Sequence, residues 1–507
     1  MKRLCVVGAL LLSLASSAQN ASIRFDISRK VGDIDRNIYG MFMEPIFQSG
    51  KNSLYGPVYD PSSPLANADG FKTDFIDAFR ELQAANMRWP GGNYTSSYHW
   101  EDGVGPKENR PVRLEPAWGG TDPNQVGTDE WVALNKAIGS ENVACFNFGF
   151  GTIDEARYWV EYCNRPGGTY YSDLRAKYGH PEPYNIKYWC LGNEVDGQPW
   201  IQGFKDADEY ARMAYLVARV VRTVDRSVRH VACGSSWYDN NPVRRPPQGH
   251  WIEWNKTVIH ELYGMADYLS IHRYWEYNRD DYYELMADNS QDIEEKINTV
   301  KSLINIERIT NPQRRDMYIS MDEWNANNLS DYRRVLANAM YLNSFLRHAD
   351  VVKMANFALM NNLLETDPAT GSFFKGPLYQ AYKLYSTNCK GVTVDSYTSC
   401  GTYDGQVYKN VPYLDVTCVY SEQDGRVILN VINVNKDQAI KTDISAITGS
   451  FSNKATVSTV CCELDEEITK AKESSYVPKE TSVNVKDGKL TYSFPAHSIT
   501  QIIIPVK

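Results

Sequence analysis

Beyond its first twenty residues this 507-residue chain has no apolar run approaching the ~20 residues that a membrane-spanning helix requires, which argues against membrane insertion. Basic charge is also scarce. Lys and Arg number 53 against 62 Asp and Glu, a net charge of -9, and phosphate-rich partners need a basic face, so nucleic acid is set aside. Ten cysteines are present, none of them at metal-ligand spacing. Cys145, Cys163, Cys190 and Cys233 fall in or beside apolar segments and read as buried thiols, Cys389 and Cys400 can pair across a short polar segment, and Cys461 and Cys462 are adjacent. A Gly-rich phosphate turn is missing as well: Gly40 stands alone in the first strand of the main domain, which counts against a doubly wound nucleotide-binding sheet. There is no internal repeat and no linker rich in Ser or Pro.

What is present is the composition of a globular protein, with 43% hydrophobic and 23% charged residues and enough length for a large α/β domain plus a smaller one. Aromatics reach 12%, with 34 Tyr and 12 Trp. Most are core filler, but flat rings with polar edges are also what sugar rings stack on. The N-terminus has Lys2 and Arg3, an apolar run to Leu14 and the small residues Ala15 to Ala18. That pattern predicts an export signal over 1–18, and hence a periplasmic or extracellular protein. Cys5 lies too early to be a lipid-attachment site.

Apolar strands then alternate with amphipathic helices. Strands are expected from Asn37, Asn86, Asn142, Lys187, His230, Tyr268, Met317 and Val351, each followed by a helix-compatible stretch. Eight βα units predict a (β/α)8 TIM barrel over 36–388. From 389 to 507 short alternating segments without helix signals, among them Val407–Val411, predict an antiparallel β-sandwich, completed by an N-terminal strand within 19–35.

Polar residues collect at the strand C-termini, the active face of such a barrel: Glu44, Arg88, Asn93, Asn193, Glu194, His272, Tyr274, Asp322 and Glu323. Glu194 ends the fourth strand (KYWCLGNE) and Glu323 the seventh (MYISMDEW). Either acid alone reads as a strand-end salt bridge, but two facing carboxylates fit glycoside hydrolysis, one protonating the leaving oxygen while the other attacks or activates water. An ionised Glu323 would keep Glu194 protonated; esterified by a sugar, it would let the same group act as base. Carboxyl separations of ~5 to 5.5 Å give retention and ~6.5 to 9.5 Å inversion, a choice the sequence leaves open.

The segments YGMFMEP (39–45), MRWPGGNYTSSYHWEDGVGPKENRP (87–111), KYWCLGNEVDG (187–197), SIHRY (270–274) and DEWN (322–325) closely resemble glycoside hydrolase family 51, the α-L-arabinofuranosidases. The resemblance spans nearly the whole chain after the signal. It implies a retaining mechanism with Glu194 as acid/base and Glu323 as nucleophile, no metal and no cofactor. It also implies sugar contacts from Glu44, Arg88, Asn93, Asn193, His272 and Tyr274, with Trp118 and Trp200 as wall aromatics. Arg88 reads equally as a barrel-interior ion pair, and His272 as either a hydroxyl ligand or a satisfied core histidine. A homo-oligomer is left open. The expected partner is an arabinose-containing polysaccharide or oligosaccharide.

The chain departs from the family at Pro45, where histidine is usual, at Leu359, which replaces a glutamine, and within Asn325 to Asn328, where a tryptophan is missing and the loop that follows is shortened. These changes suggest an open cleft. They keep a β-xylosidase or endo-β-1,4-glucanase as the alternative, with a non-catalytic carbohydrate-binding protein as a second.

Overall fold

The computed structural model describes residues 21–45, 58–197, 201, 205–236, 250–274, 281–326 and 331–507. The expected export signal, Trp200, Asn327 and Asn328 lie outside the described residues.

Eight parallel strands close into a barrel in sequence order: β2 (Gly40–Phe42), β3 (Asn86–Trp89), β4 (Glu141–Cys145), β5 (Tyr188–Leu191), β6 (Arg229–Cys233), β7 (Tyr268–Tyr274), β8 (Tyr318–Asn325) and β9 (Val352–Phe357). Closure comes from β9 pairing with β2, Asn356 opposite Gly40 and Phe357 opposite Met41. All eight fall on the expected segments. The first is cut short because Arg36–Tyr39 coils into a 3-10 turn, started by Asp35 accepting a bond from the Asn37 amide.

Strand parity sorts the interior. On β5, Tyr188 and Cys190 point into the lumen with Val143, Cys145, Val231, Tyr268 and Met354, while Trp189 and Leu191 pack outward against the helices. Both faces are therefore apolar, as a covered parallel sheet requires. The helices bury one stripe each. In the helix over Ala207–Val224 that stripe is Tyr210, Ala211, Ala214, Val217, Ala218 and Val221, and Asp206 caps its start by accepting from the Glu209 amide at 2.7 Å.

Gly40 has a packing reason in place of a phosphate role. A Cβ there would stand 2.4 Å from Asn86 Oδ1, inside a buried amide chain in which Asn356 Nδ2 donates to Asn86 Oδ1 at 2.6 Å and to the Met41 carbonyl at 2.9 Å.

The C-terminal domain is one nine-stranded sheet that includes β1 (Ala21–Asp33). Eight of its nine strands come from the chain after residue 391, and two of them, Val392–Ser399 and Ile440–Ala446, lie outside the segments expected from sequence. The sheet is antiparallel as expected except at one pairing, where β1 arrives from the far end of the chain and pairs in parallel with Ile440–Ala446 while pairing antiparallel with Val392–Ser399. One expectation is corrected. Val407–Val411 is not a strand; only Val411–Pro412 pairs, with Thr402–Tyr403.

The sheet seats on the barrel through an apolar face, where Val419, Ile428, Ile432 and Ile499 join the core of the barrel helices, and through polar contacts. Glu294 takes Arg347 Nε at 2.8 Å and His348 Nε2 at 2.6 Å. Arg347 also pairs with Asp415 of the sheet, and Tyr332 donates to the Val460 carbonyl at 2.8 Å.

Candidate active site

The last strand residues and the turns after them bring the predicted side chains to one end of the barrel. Strand β8 shows how. Regular alternation would point Asp322 inward and Glu323 outward, but the register with both neighbours slips between Ser320 and Trp324. This irregularity turns both acids into the lumen and leaves Trp324 buried against Tyr341, Phe345 and Phe357. Across the lumen, Gly192 at φ 92° and Glu194 at φ 42° end β5 in left-handed backbone. That turn swings the Glu194 side chain to the lip, where it keeps 15% of its exposure.

Arg88 on β3 ties the acids together. Its Nη1 meets Glu323 Oε1 at 2.7 Å, its Nη2 donates to Asn193 Oδ1 at 2.7 Å, and its Nε lies 3.5 Å from Asp322 Oδ2. The guanidinium also lies over the Phe42 ring, 4.9 Å from its centroid. Asn193 in turn donates to Asn93 Oδ1 at 3.3 Å. From the other side Tyr274 donates to Glu323 Oε2 at 2.8 Å. His272 Nδ1 sits 2.8 Å from Glu194 Oε1 and 3.6 Å from Glu323 Oε2, with its Nε2 3.5 Å from Asp322. Glu44 Oε1 accepts from the amides of Gly92 and Tyr94, each at 3.0 Å, and from Trp118 Nε1 at 3.1 Å.

Nine of the ten predicted residues thus belong to one cluster, the tenth being Trp200. Trp118 is the only one of the nine with a broad exposed face, 37%. Sequence reasoning noted Asp322 but gave it no role. Buried to 1%, it accepts from Ser270 Oγ at 2.5 Å and lies under both Arg88 and His272. Gly92 was missed too: a Cβ there would stand 2.9 Å from Glu323 Oε1 and 3.2 Å from Asn193 Nδ2. The pairing of two acids side by side, Asp322 and Glu323, was the available signal. Among the departures, Pro45 is buried behind Glu44, Leu359 is half-buried at the end of β9, and Asn325 donates to the Ala358 carbonyl at 2.7 Å, which gives it a structural role.

Burial pushes Glu44 up to about 8, with the charge on Glu323 adding to it. Burial and the nearby Glu194 also raise Glu323, opposed by His272 and Arg88. Asp322 is held below the usual carboxylate range: burial works the other way, but Arg88 and His272 outweigh it. His272 is raised well above an ordinary imidazole. Burial opposes its charge, and Glu323, Asp322 and Glu194 overcome that. Burial thus favours the neutral acid at Glu44, while the surrounding carboxylates favour the charged form of His272.

Donor atoms of Glu194, His272 and Glu323 all lie within 4.8 Å of one another. A cation would fit there by donor type, but Arg88 and Tyr274 already engage the two oxygens of Glu323, and His272 Nδ1 engages Glu194 Oε1. Two acids at this spacing, one half-open to the cleft and one clamped by a guanidinium and a phenol, on the C-terminal rim of a TIM barrel, define a glycoside hydrolase.

The comparisons with known proteins agree. Residues 78–284 match the model of the α-L-arabinofuranosidase 1 domain and residues 322–498 that of the α-L-arabinofuranosidase C-terminal domain. An intracellular exo-α-(1→5)-L-arabinofuranosidase of Bacillus subtilis is 35% identical over 450 residues, covering 84% of this chain and 87% of that protein. A probable α-L-arabinofuranosidase C of Aspergillus clavatus is 35% identical over 521 residues, covering 96% and 97%. The crystal structure of the Thermotoga maritima α-L-arabinofuranosidase in complex with arabinose superposes with a TM-score of 0.82 at 31% identity, covering 96% of this chain and 100% of that one. The chain belongs to glycoside hydrolase family 51, the α-L-arabinofuranosidase family.

Proposed function

We propose that this enzyme is a retaining, exo-acting α-L-arabinofuranosidase. On this reading it releases terminal arabinofuranosyl groups from arabinan, arabinoxylan and their oligosaccharides. The observation that carries the stereochemistry is the pair of carboxylates of Glu194 and Glu323: their facing oxygens lie within 4.8 Å of each other and share His272 Nδ1, at 2.8 and 3.6 Å, which leaves little room for an attacking water between them and so supports the closer-spaced, retaining class. The α-L-arabinofuranosidase activity of the family and of the Bacillus subtilis relative supports the sugar.

Glu323 then attacks the anomeric carbon while Glu194 protonates the departing oxygen. Arg88 and Tyr274 aim the attacking carboxylate, and Asn193, oriented by Arg88, offers its amide to the sugar hydroxyl beside the anomeric carbon as positive charge builds there. With Glu323 esterified its charge is gone, and Glu194 takes a proton from the incoming water. Export through the segment before residue 19 is part of the proposal, supported by the sequence pattern Lys2 to Ala18; N-terminal sequencing of protein made with an intact export pathway tests it.

Proton NMR of a fresh digest of aryl α-L-arabinofuranoside checks the chemistry: the first sugar released should be the α anomer, and a β product would refute retention. Turnover should vanish in Glu323→Ala, whereas Glu194→Ala should spare substrates whose leaving group needs no proton. Exclusive action on cellulose or aryl β-D-xyloside would overturn the assignment of sugar.

A further inference from the structure

Phe150 is an aromatic ring 54% exposed on the active face of the barrel, in the loop after β4. The only other aromatics more than half exposed among the described residues, Tyr170 and Tyr397, stand on an outer helix and on the terminal sheet. A ring more than half in solvent adds little to the fold, and on this loop its free face is open to a ligand.

The loop that holds it is built firmly. Asn147 Oδ1 accepts from the amides of Gly149 at 3.1 Å and Phe150 at 2.9 Å, and Asn147 Nδ2 donates to the Tyr98 carbonyl at 3.0 Å. The Phe150 amide also donates to the Ser96 carbonyl at 3.0 Å. A Cβ on Gly149 would stand 2.3 Å from that same Ser96 oxygen, so the two segments touch backbone to backbone. Ser96 lies in the 3-10 turn Asn93–Ser97, which begins with Asn93, the hydrogen-bond partner of Asn193. Three residues of such a turn advance about 6 Å, so the Phe150 backbone is anchored one turn away from Asn93, at the edge of the catalytic cluster.

The side of the cleft is also defined. Phe148 packs on Gly192, where a Cβ would stand 2.8 Å from Phe148 Cβ, and Gly192 directly precedes Asn193 and Glu194. Phe150 therefore adjoins the strand end that carries the proton donor, with the nucleophile's strand on the far side of the lumen. A proton donor faces the leaving oxygen, so the leaving group lies on its side of the bond.

We propose that Phe150 is a specificity-determining residue, the platform on which the departing sugar stacks its face of C–H bonds while the bond beside it is cut. This rests on the arabinofuranosidase reading above. The ring would favour saccharide leaving groups over small ones, because stacking needs a flat apolar partner.

The test compares α-1,5-arabinotriose, which presents a sugar to that side, with α-L-arabinofuranosyl fluoride, which presents none. The ratio of kcat/KM on the trisaccharide to that on the fluoride should fall about tenfold in Phe150→Ala, which equals about 1.4 kcal/mol, and stay within about twofold of wild type in Phe150→Trp. A ratio unchanged in Phe150→Ala, or both substrates declining in parallel, overturns the assignment of Phe150 while leaving the enzyme's activity as read. A wild-type enzyme that releases no arabinose from either substrate overturns the activity itself, and this inference with it.

Discussion

Glu44 offers the sharpest test of how the site carries its charge. It is 7% exposed, and burial together with the charge on Glu323 raises it from 4.5 to about 8. In the unfolded chain it titrates near 4.5, so between roughly pH 4.5 and 8 the folded protein binds a proton that the unfolded chain does not. Stability from this group is therefore fully present below about pH 4.5, falls as pH rises, and is lost by about pH 8. At about 1.4 kcal/mol per unit the ceiling is roughly 5 kcal/mol. For a chain of this size, with an unfolding entropy of ~2.1 cal/mol/K per residue, that is about 5 °C in Tm. Glu44→Gln keeps the shape and removes the titration. Melting curves of both proteins from pH 4.5 to 9.5 should show the variant's Tm rising relative to wild type up to about pH 8 and levelling above it. A flat difference, or one that grows only below pH 5, would refute the argument that Glu44 is folded as a neutral acid.

Other consequences are as direct. Arg88→Lys keeps the charge but not the fork that holds Glu323 and Asn193 at once, so kcat should fall ~10²- to 10³-fold, with circular dichroism showing an intact fold. Gly92→Ala puts a Cβ against Glu323 Oε1 and Asn193 Nδ2, so kcat should fall on the order of 10²-fold, with melting curves showing whether the fold is kept. At the barrel–sheet junction, Glu294 is lowered to about 2 because Arg347 and His348 outweigh its burial. Its contribution, at most about 3 kcal/mol, should be present above pH 4.5 and lost as pH falls toward 2, and Glu294→Gln should remove that part of the acid transition in calorimetry.

Much of this site was legible beforehand because its residues sit where a local pattern ends. KYWCLGNE and MYISMDEW are apolar runs stopped by acids, and a run of that kind is a buried strand whose last side chain must meet solvent or substrate. What stayed hidden depends on register or on distant contacts. The slip in β8 that turns both Asp322 and Glu323 inward leaves no trace in composition, so Asp322 drew no role although it underlies both Arg88 and His272. Gly92 follows Pro90 and Gly91 in a run with ordinary loop composition, and its purpose is visible only where Glu323 crowds it. The parallel pairing of β1 escaped for a similar reason: its partner Ile440–Ala446 is far away in the chain, and local alternation does not say which strand pairs with which.

By itself, then, the sequence determined the eight-unit barrel, the terminal sheet and the identity of the two acids, because strand and helix periods and strand-end residues are local properties. Only the tertiary structure decided how close those acids stand, which of them Arg88 and Tyr274 clamp, and where protons rest among Glu44, His272 and Glu323. Those are sums of distances and burial across the whole lumen, set by strands that meet only when the barrel closes.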